Sequence, residues 1–293
     1  PLVAACPAGT HEVSRQDFFD RHYGHWDQDD IDAEAVALAA SALCQLPAQI
    51  PADLTLDARS SYLISGPVIV GNGHNALAAD GNLEDGSQLQ SATLTIPAGT
   101  LLYAEREYRV EKETLPRSSF LQITRGSRIV AEGTAQEPIV FKDVELGYHH
   151  FSEWGGLIIQ GRAGHAECSD NDGSCNAMSV QNAYINGDSS PIELSALGYS
   201  GGTDETDSSG VLRHIVITEA GQNQDYDDNG SRVEGRFGGL VLQSVGRGTE
   251  IDSVQIHRNG WNPALRIDGG SVNIRAVTVS DNESDSIRLG SGY

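Results

Sequence analysis

The feature that most constrains this chain is an internal repeat toward its C-terminal end. The segment from Gly239, GLVLQSVGRGTEIDSVQIHRNGWNP, aligns with the segment from Ala264, ALRIDGGSVNIRAVTVSDNESD, 25 residues on. Leu240 falls on Leu265, Leu242 on Ile267, Ile251 on Ile274, Val254 on Val277 and Ile256 on Val279. A third copy opens 22 residues later at Ser286, with Ile287 and Leu289 in the places of Leu265 and Ile267. Apolar residues alternate inside each copy, the period of a strand with one buried face. Gly or Asn follows each strand, suited to the left-handed backbone of a sharp corner. A unit that cannot bury its own apolar face must stack on its neighbours. Each copy therefore reads as one coil of a right-handed parallel β-helix, with equivalent Leu, Ile and Val residues laddered inside the tube. A β-sandwich also recurs in short strands, but it needs hairpins between consecutive strands, whereas here a unit of about three strands repeats whole.

Upstream the same texture continues without the regular spacing. Runs beginning at Tyr62, Ala92, Phe120, Pro138 and Gly156 are short, β-branched and bounded by Gly, Asn and Asp, as strands in an all-β protein are. The absence of helices between them excludes a doubly wound fold. The β-helix is expected over residues 51–293, with a loop insertion at about 163–208 and an incomplete last coil after Ser286. Residues 1–50 differ. Ile31 to Leu46 is rich in helix formers behind Asp30 and Asp32 as N-cap candidates, which predicts a small N-terminal α-helical cap.

Charge narrows the function classes. With 41 Asp and Glu against 19 Lys and Arg the net charge is −22, so a phosphate backbone or an anionic membrane surface is repelled and cations are attracted. Nucleic acid is not an expected partner. No run reaches the ~18–20 apolar residues of a membrane helix. The cysteines fall as two pairs, Cys6 with Cys44 and Cys168 with Cys175, which predicts two disulfides and an oxidising, extracellular or cell-surface location. Val3-Ala4-Ala5-Cys6 also has the look of a lipobox; the disulfide is the preferred reading of Cys6 over a lipid anchor.

LTIPAGTLL (94–102), LQITRGSRIVAEGTAQEPIVF (121–141), WGGLIIQGRA (154–163), GGTDETDSSGVLRHIVITEAG (201–221) and GLVLQSVGRGTEIDSVQIHRNG (239–260) occur in this order. In this the chain resembles a family of secreted or surface-attached bacterial β-helix proteins, often lipoproteins, of unassigned activity. The resemblance covers roughly residues 60–293 and implies fold and compartment. It carries over no catalytic residue.

Several constellations could carry chemistry. Asp225, Asp227 and Asn229, followed by Gly230, match the opening of a D-x-D-x-N-G calcium loop, although Arg236 stands where the closing Glu belongs. Asp170 and Asp172 lie inside the short Cys168–Cys175 loop and are a second calcium candidate. Asp204 and Asp207 read as turn-closing residues. His11, His22 and His25 with Asp17, Asp20 and Asp27 could hold a transition metal, but lack any zinc-type motif. For polysaccharide cleavage, which needs a base and charge neutralisation or converging carboxylates, the candidates are Arg258, Arg266 and Arg288 beside Asp252, Asp268 and Asp285. Their recurrence on successive coils is what an ordinary solenoid surface shows. Trp154, Tyr199, Tyr226 and Trp261 could stack on sugars. The expectation is a non-enzymatic extracellular or cell-surface structural or adhesive protein, with calcium as a candidate cofactor. Its candidate partners are glycans, a second copy, or another envelope protein met through the open last coil. The alternative is a carbohydrate-binding or lyase-like module.

Overall fold

A computed structural model describes residues 5–22, 42–105, 119–144, 154–166, 168, 175–178, 198–221, 237–260, 262–290 and 292–293. In chain order the first elements are β1 (His11–Glu12), α1 (Arg15–His22), β2 (Ala42–Gln45), β3 (Gln49–Ile50), β4 (Leu54–Thr55), β5 (Ser60–Ile64) and β6 (Pro67–Val70). Then come β7 (Thr93–Pro97), β8 (Leu101–Ala104), β9 (Phe120–Ile123), β10 (Arg128–Glu132), β11 (Ile139–Asp143), β12 (Leu157–Gln160), β13 (Ala177–Met178) and β14 (Tyr199–Ser200). The last are β15 (Gly210–Thr218), β16 (Leu240–Val245), β17 (Glu250–His257), β18 (Leu265–Gly270), β19 (Asn273–Ser280) and β20 (Ile287–Gly290).

These strands wind into a parallel β-helix. One wall is a seven-stranded sheet in the order β3-β6-β9-β12-β16-β18-β20, parallel throughout. Its inward side chains form two unbroken ladders. One runs Val68, Leu121, Leu157, Leu240, Leu265, Ile287, and the other Val70, Ile123, Ile159, Leu242, Ile267, Leu289. The expected pairings of the repeat, Leu240 with Leu265 and Leu242 with Ile267, are therefore direct neighbours.

The other two walls share one sheet, because β15, β17 and β19 each run along both of them. Their first halves extend the stack of β4, β7 and β10, and their second halves extend that of β5, β8 and β11. The bend between halves falls at His214, Ser253 and Ala276, all with φ near +50°, and a second column of left-handed residues, Glu219, Arg258 and Asp281, ends the same strands. None of the six is Gly or Asn, contrary to the sequence expectation for corners. A left-handed L-residue costs roughly 1–2 kcal/mol. The adjoining ladders Leu212, Ile251, Ile274 and Ile215, Val254, Val277 offset it, since burying one such side chain contributes about 1.5–3 kcal/mol.

The N-terminal expectation needs correction. Ala42–Gln45, placed at the end of the expected helix, is strand β2, paired parallel with β5. Its alternating side chains fit the stack, and tertiary packing overrides helix propensity. The solenoid thus includes residues 42–50, upstream of the boundary expected at 51. Residues 23–41 lie outside the described set. Helix α1 lies on a wall rather than over an end, since Phe18 packs on the outward residues Leu43, Leu63, Tyr103 and Val144. At the N-terminal end one sheet edge is covered. Cys6 is bonded to Cys44 and packs on the core, and β1 runs antiparallel along β2, blocking that sheet edge. At the far end the last rungs, Ile287 and Leu289, are 54% and 58% exposed.

Leu242 is fully buried in mid-ladder whereas Leu289 ends the same ladder in the open. Leu242→Ala should cost about 2–5 kcal/mol in denaturant unfolding, and Leu289→Ala less than about 1 kcal/mol.

Candidate functional site

The chemistry-bearing residues named from sequence fall on more than one side of the tube. Asp252 faces outward on the second wall and pairs with Arg275 of the next coil at 2.6 Å. Arg258 occupies a corner and lies 3.6 Å from Glu219 and 3.7 Å from Asp281. Arg266 and Asp268 point outward from the seven-stranded sheet and form a buried ion pair at 2.6 Å. Arg288 is the register neighbour of Arg266, and the Asp285 carbonyl accepts the Ala264 N–H. Strand alternation and the corner residues thus separate Asp252 and Arg258 from Arg266, Asp268 and Arg288, which share the outward face of the seven-stranded sheet. Trp154 is fully buried against Phe141 with its Nε1–H donated to the Thr218 carbonyl, a structural post rather than a sugar platform.

Asp225, Asp227, Asn229, Asp170 and Asp172 lie outside the described residues, as do His25, Asp27, Tyr226 and Trp261. Among the described residues no group of three or more His, Cys, Asp and Glu is placed to hold a metal ion. His11 is exposed on β1. Both expected disulfides, Cys6–Cys44 and Cys168–Cys175, are present, so the Cys6 sulfur is committed within the protein.

What the fold does assemble is a loop platform on the corner that follows the seven-stranded sheet. Arg125, in the turn after β9, is wholly buried. Its guanidinium donates to the carbonyls of Gly73 (2.7 Å), Asn75 (2.6 Å), Cys175 (2.8 Å) and Gly201 (3.3 Å), and to Asn176 Oδ1 (3.2 Å). One side chain thereby ties the loop after β6 to both ends of the 163–208 insertion. Asn176 completes the tie by exchanging two hydrogen bonds with the Leu77 backbone. Burial, and then the neighbouring Arg162 charge, pull the Arg125 pKa down to about 10, which leaves it charged at neutral pH. From Gly198 the insertion returns as a strap along the tube. Glu205 accepts the Gly164 N–H at 2.9 Å, and Asp207 accepts the Arg162 N–H at 3.1 Å. Arg247 N–H and Ser271 Oγ–H both donate to the Glu205 carbonyl. Asp204 caps Thr206, as its turn-closing role anticipated, and that bonding holds its carboxyl below the usual range. Burial pushes the Asp207 carboxyl up.

The outward face of the seven-stranded sheet is buried along its middle strands. Gln122, Ile158, Gln160, Val241 and Gln243 are buried, with Phe237 packed on Phe120, Ile158 and Val241. Gln122 donates to Gln160 at 2.8 Å, Gln160 to Gln243 at 3.4 Å, and Asp268 follows Gln243 in register. Sequence alone gave no sign of this buried amide ladder or of the Arg125 tie, because a Thr-Arg-Gly-Ser turn reads as solvated.

A family model described as a pectate-lyase-like β-helix domain matches residues 48–293. The chain belongs to that family. No curated protein and no solved structure matches it. The parallel coils described above are those of a pectate-lyase-like β-helix.

Arg125→Met removes the guanidinium donor from the carbonyls of Gly73, Asn75, Cys175 and Gly201. The variant should lose about 3 kcal/mol or more of stability in denaturant unfolding, and limited proteolysis should cut faster between Gly198 and Ser208 than it does in the unaltered protein.

Proposed function

We propose that this β-helix is a non-catalytic protein of the cell exterior or cell surface, presenting a fixed wall and docked loops for adhesion or assembly. The observation that carries the reading is how the outward charges are used. Glu132, Arg213, Asp252 and Arg275 are successive register neighbours of alternating sign on one wall. Arg213 contacts Glu132 at 2.7 Å and Glu250 at 2.6 Å, and Arg275 contacts Asp252. Charges paired rung to rung hold strand register, and a carboxylate so occupied is a poor general base or nucleophile. The two disulfides favour an oxidising compartment. No helix among the described residues is long and apolar enough to cross a membrane.

The second reading, a carbohydrate-active module, draws on the family itself and on the exposed charges of the walls. Calcium belongs to either reading through the acidic loops at Asp225, Asp227, Asn229 and at Asp170, Asp172, whose spacing of oxygen ligands motivates it. Contact with a second copy or another surface protein would fall on the exposed rungs Ile287 and Leu289.

One assay separates the readings. The disulfide-intact protein is incubated with uronate-containing and neutral polysaccharides, with calcium or with EGTA, and both retention and release of new chain ends are measured. The proposal expects retention on at least one polymer without cleavage, and a lower melting temperature in EGTA. Calcium-dependent release of products would overturn it in favour of the lyase-like reading.

A further inference from the structure

We propose that His74 is an acid-sensitive latch: its ring sits neutral where the loop after β6 meets the returning end of the 163–208 insertion, and its protonation frees the insertion while the coils stay wound. The loop carries this residue into the tie itself. Gly73 and Asn75, on either side of His74, both give their carbonyls to the Arg125 guanidinium. The His74 carbonyl accepts the Tyr199 N–H at 2.8 Å. A Cβ built on Gly198 would lie 2.0 Å from that oxygen and 3.1 Å from the His74 Cβ, and Gly198 has φ +54°, so the insertion closes on His74 with no room to spare. A little further along, Leu77 exchanges hydrogen bonds with Asn176 of the insertion.

His74 Nδ1 is buried and has no hydrogen-bond partner. As the acceptor nitrogen of a neutral ring it goes unmet at modest cost. As the N–H of an imidazolium it would be a buried, charged donor with nothing to receive it. The carbonyls nearest along the chain are already taken, those of Gly73 and Asn75 by Arg125 and that of His74 by Tyr199. The charge that acts on the ring is Arg125, from the turn after β9, and it opposes a second cation. Arg162, at the end of the coil that contains β12, and Tyr199, on the insertion, act on Arg125 in turn. Burial first, and then Arg125, hold the His74 pKa below the ordinary histidine value of 6.5. Opening the contact returns the ring to water, so the open form binds the proton more tightly and the docked form loses ground as pH falls below that value. The carboxyls of the strap cannot produce this trend. Burial raises Asp207, which favours the docked form on acidification, and Asp204 is lowered, so it titrates below 3.8. The inference stands whether the walls serve adhesion or cleavage.

The test is residue-resolved amide exchange of the full, disulfide-intact chain between about pH 7.5 and about pH 5.5, a range that spans an ordinary histidine. Results are expressed as protection factors, which removes the pH dependence of intrinsic exchange. The Tyr199 and Leu77 amides, donors to the His74 carbonyl and to Asn176 Oδ1, should lose protection by roughly five- to tenfold over that range, while the amides of β12 keep theirs. Titration of the His74 ring, followed by NMR, should give a pKa below 6.5. His74→Phe keeps a ring that binds no proton and should abolish the change. If that variant fails to dock, shown by low Tyr199 protection already at the upper pH, His74→Gln takes its place and the ring titration of the unaltered protein decides by itself. A ring pKa at or above the ordinary value, protection at Tyr199 and Leu77 that does not fall with pH, or the same fall in a docked His74 variant would overturn the latch. An equal loss along β12 would overturn it too, since the coils would then be opening rather than the insertion.

Discussion

Everything in this molecule depends on parallel strands stacking in register, so that each backbone hydrogen-bond ladder carries a ladder of like side chains inside it. Leu121, Leu157, Leu240 and Leu265 are successive neighbours, and slipping any coil by one residue would turn its apolar set outward. That penalty fixes the walls. Once the walls are fixed, six non-glycine residues can be held in left-handed corners, and outward charges of opposite sign meet on adjacent coils.

The loops are secondary to this frame but not casual. The strap from Gly198 to Ser208 takes its hydrogen bonds from turns of several coils, at Arg162, Gly164, Arg247 and Ser271. Arg125 brings it together with the loop after β6. A buried guanidinium that meets neutral carbonyls is expensive to desolvate, so its role here is to specify one arrangement of three chain segments. The long walls, meanwhile, are occupied with their own register.

The coils from Gly239 onward were legible in sequence because they are nearly uninterrupted. The earlier ones were not, since insertions separate rungs that are spatial neighbours: Leu94 stacks on Ile129, and Leu157 on Leu240. The helix formers before Leu46 misled because Ala and Leu also satisfy a strand that is buried on both faces, as β2 is at Ala42, Leu43 and Cys44. Corner residues escaped because ladder burial outweighs the local preference for Gly. At the candidate site the acidic turn at Asp204 was readable from its own side chain. Arg125 was not, because its meaning lies in carbonyls up to 76 residues distant.

Amide hydrogen exchange resolved by residue tests the stacked coil most directly. Strands β12 and β16, paired on both sides, should exchange only through global unfolding, whereas β20 in the same 293-residue chain should exchange through local opening. Uniformly rapid exchange along β12 and β16 would contradict the account, as would protection in β20 equal to theirs.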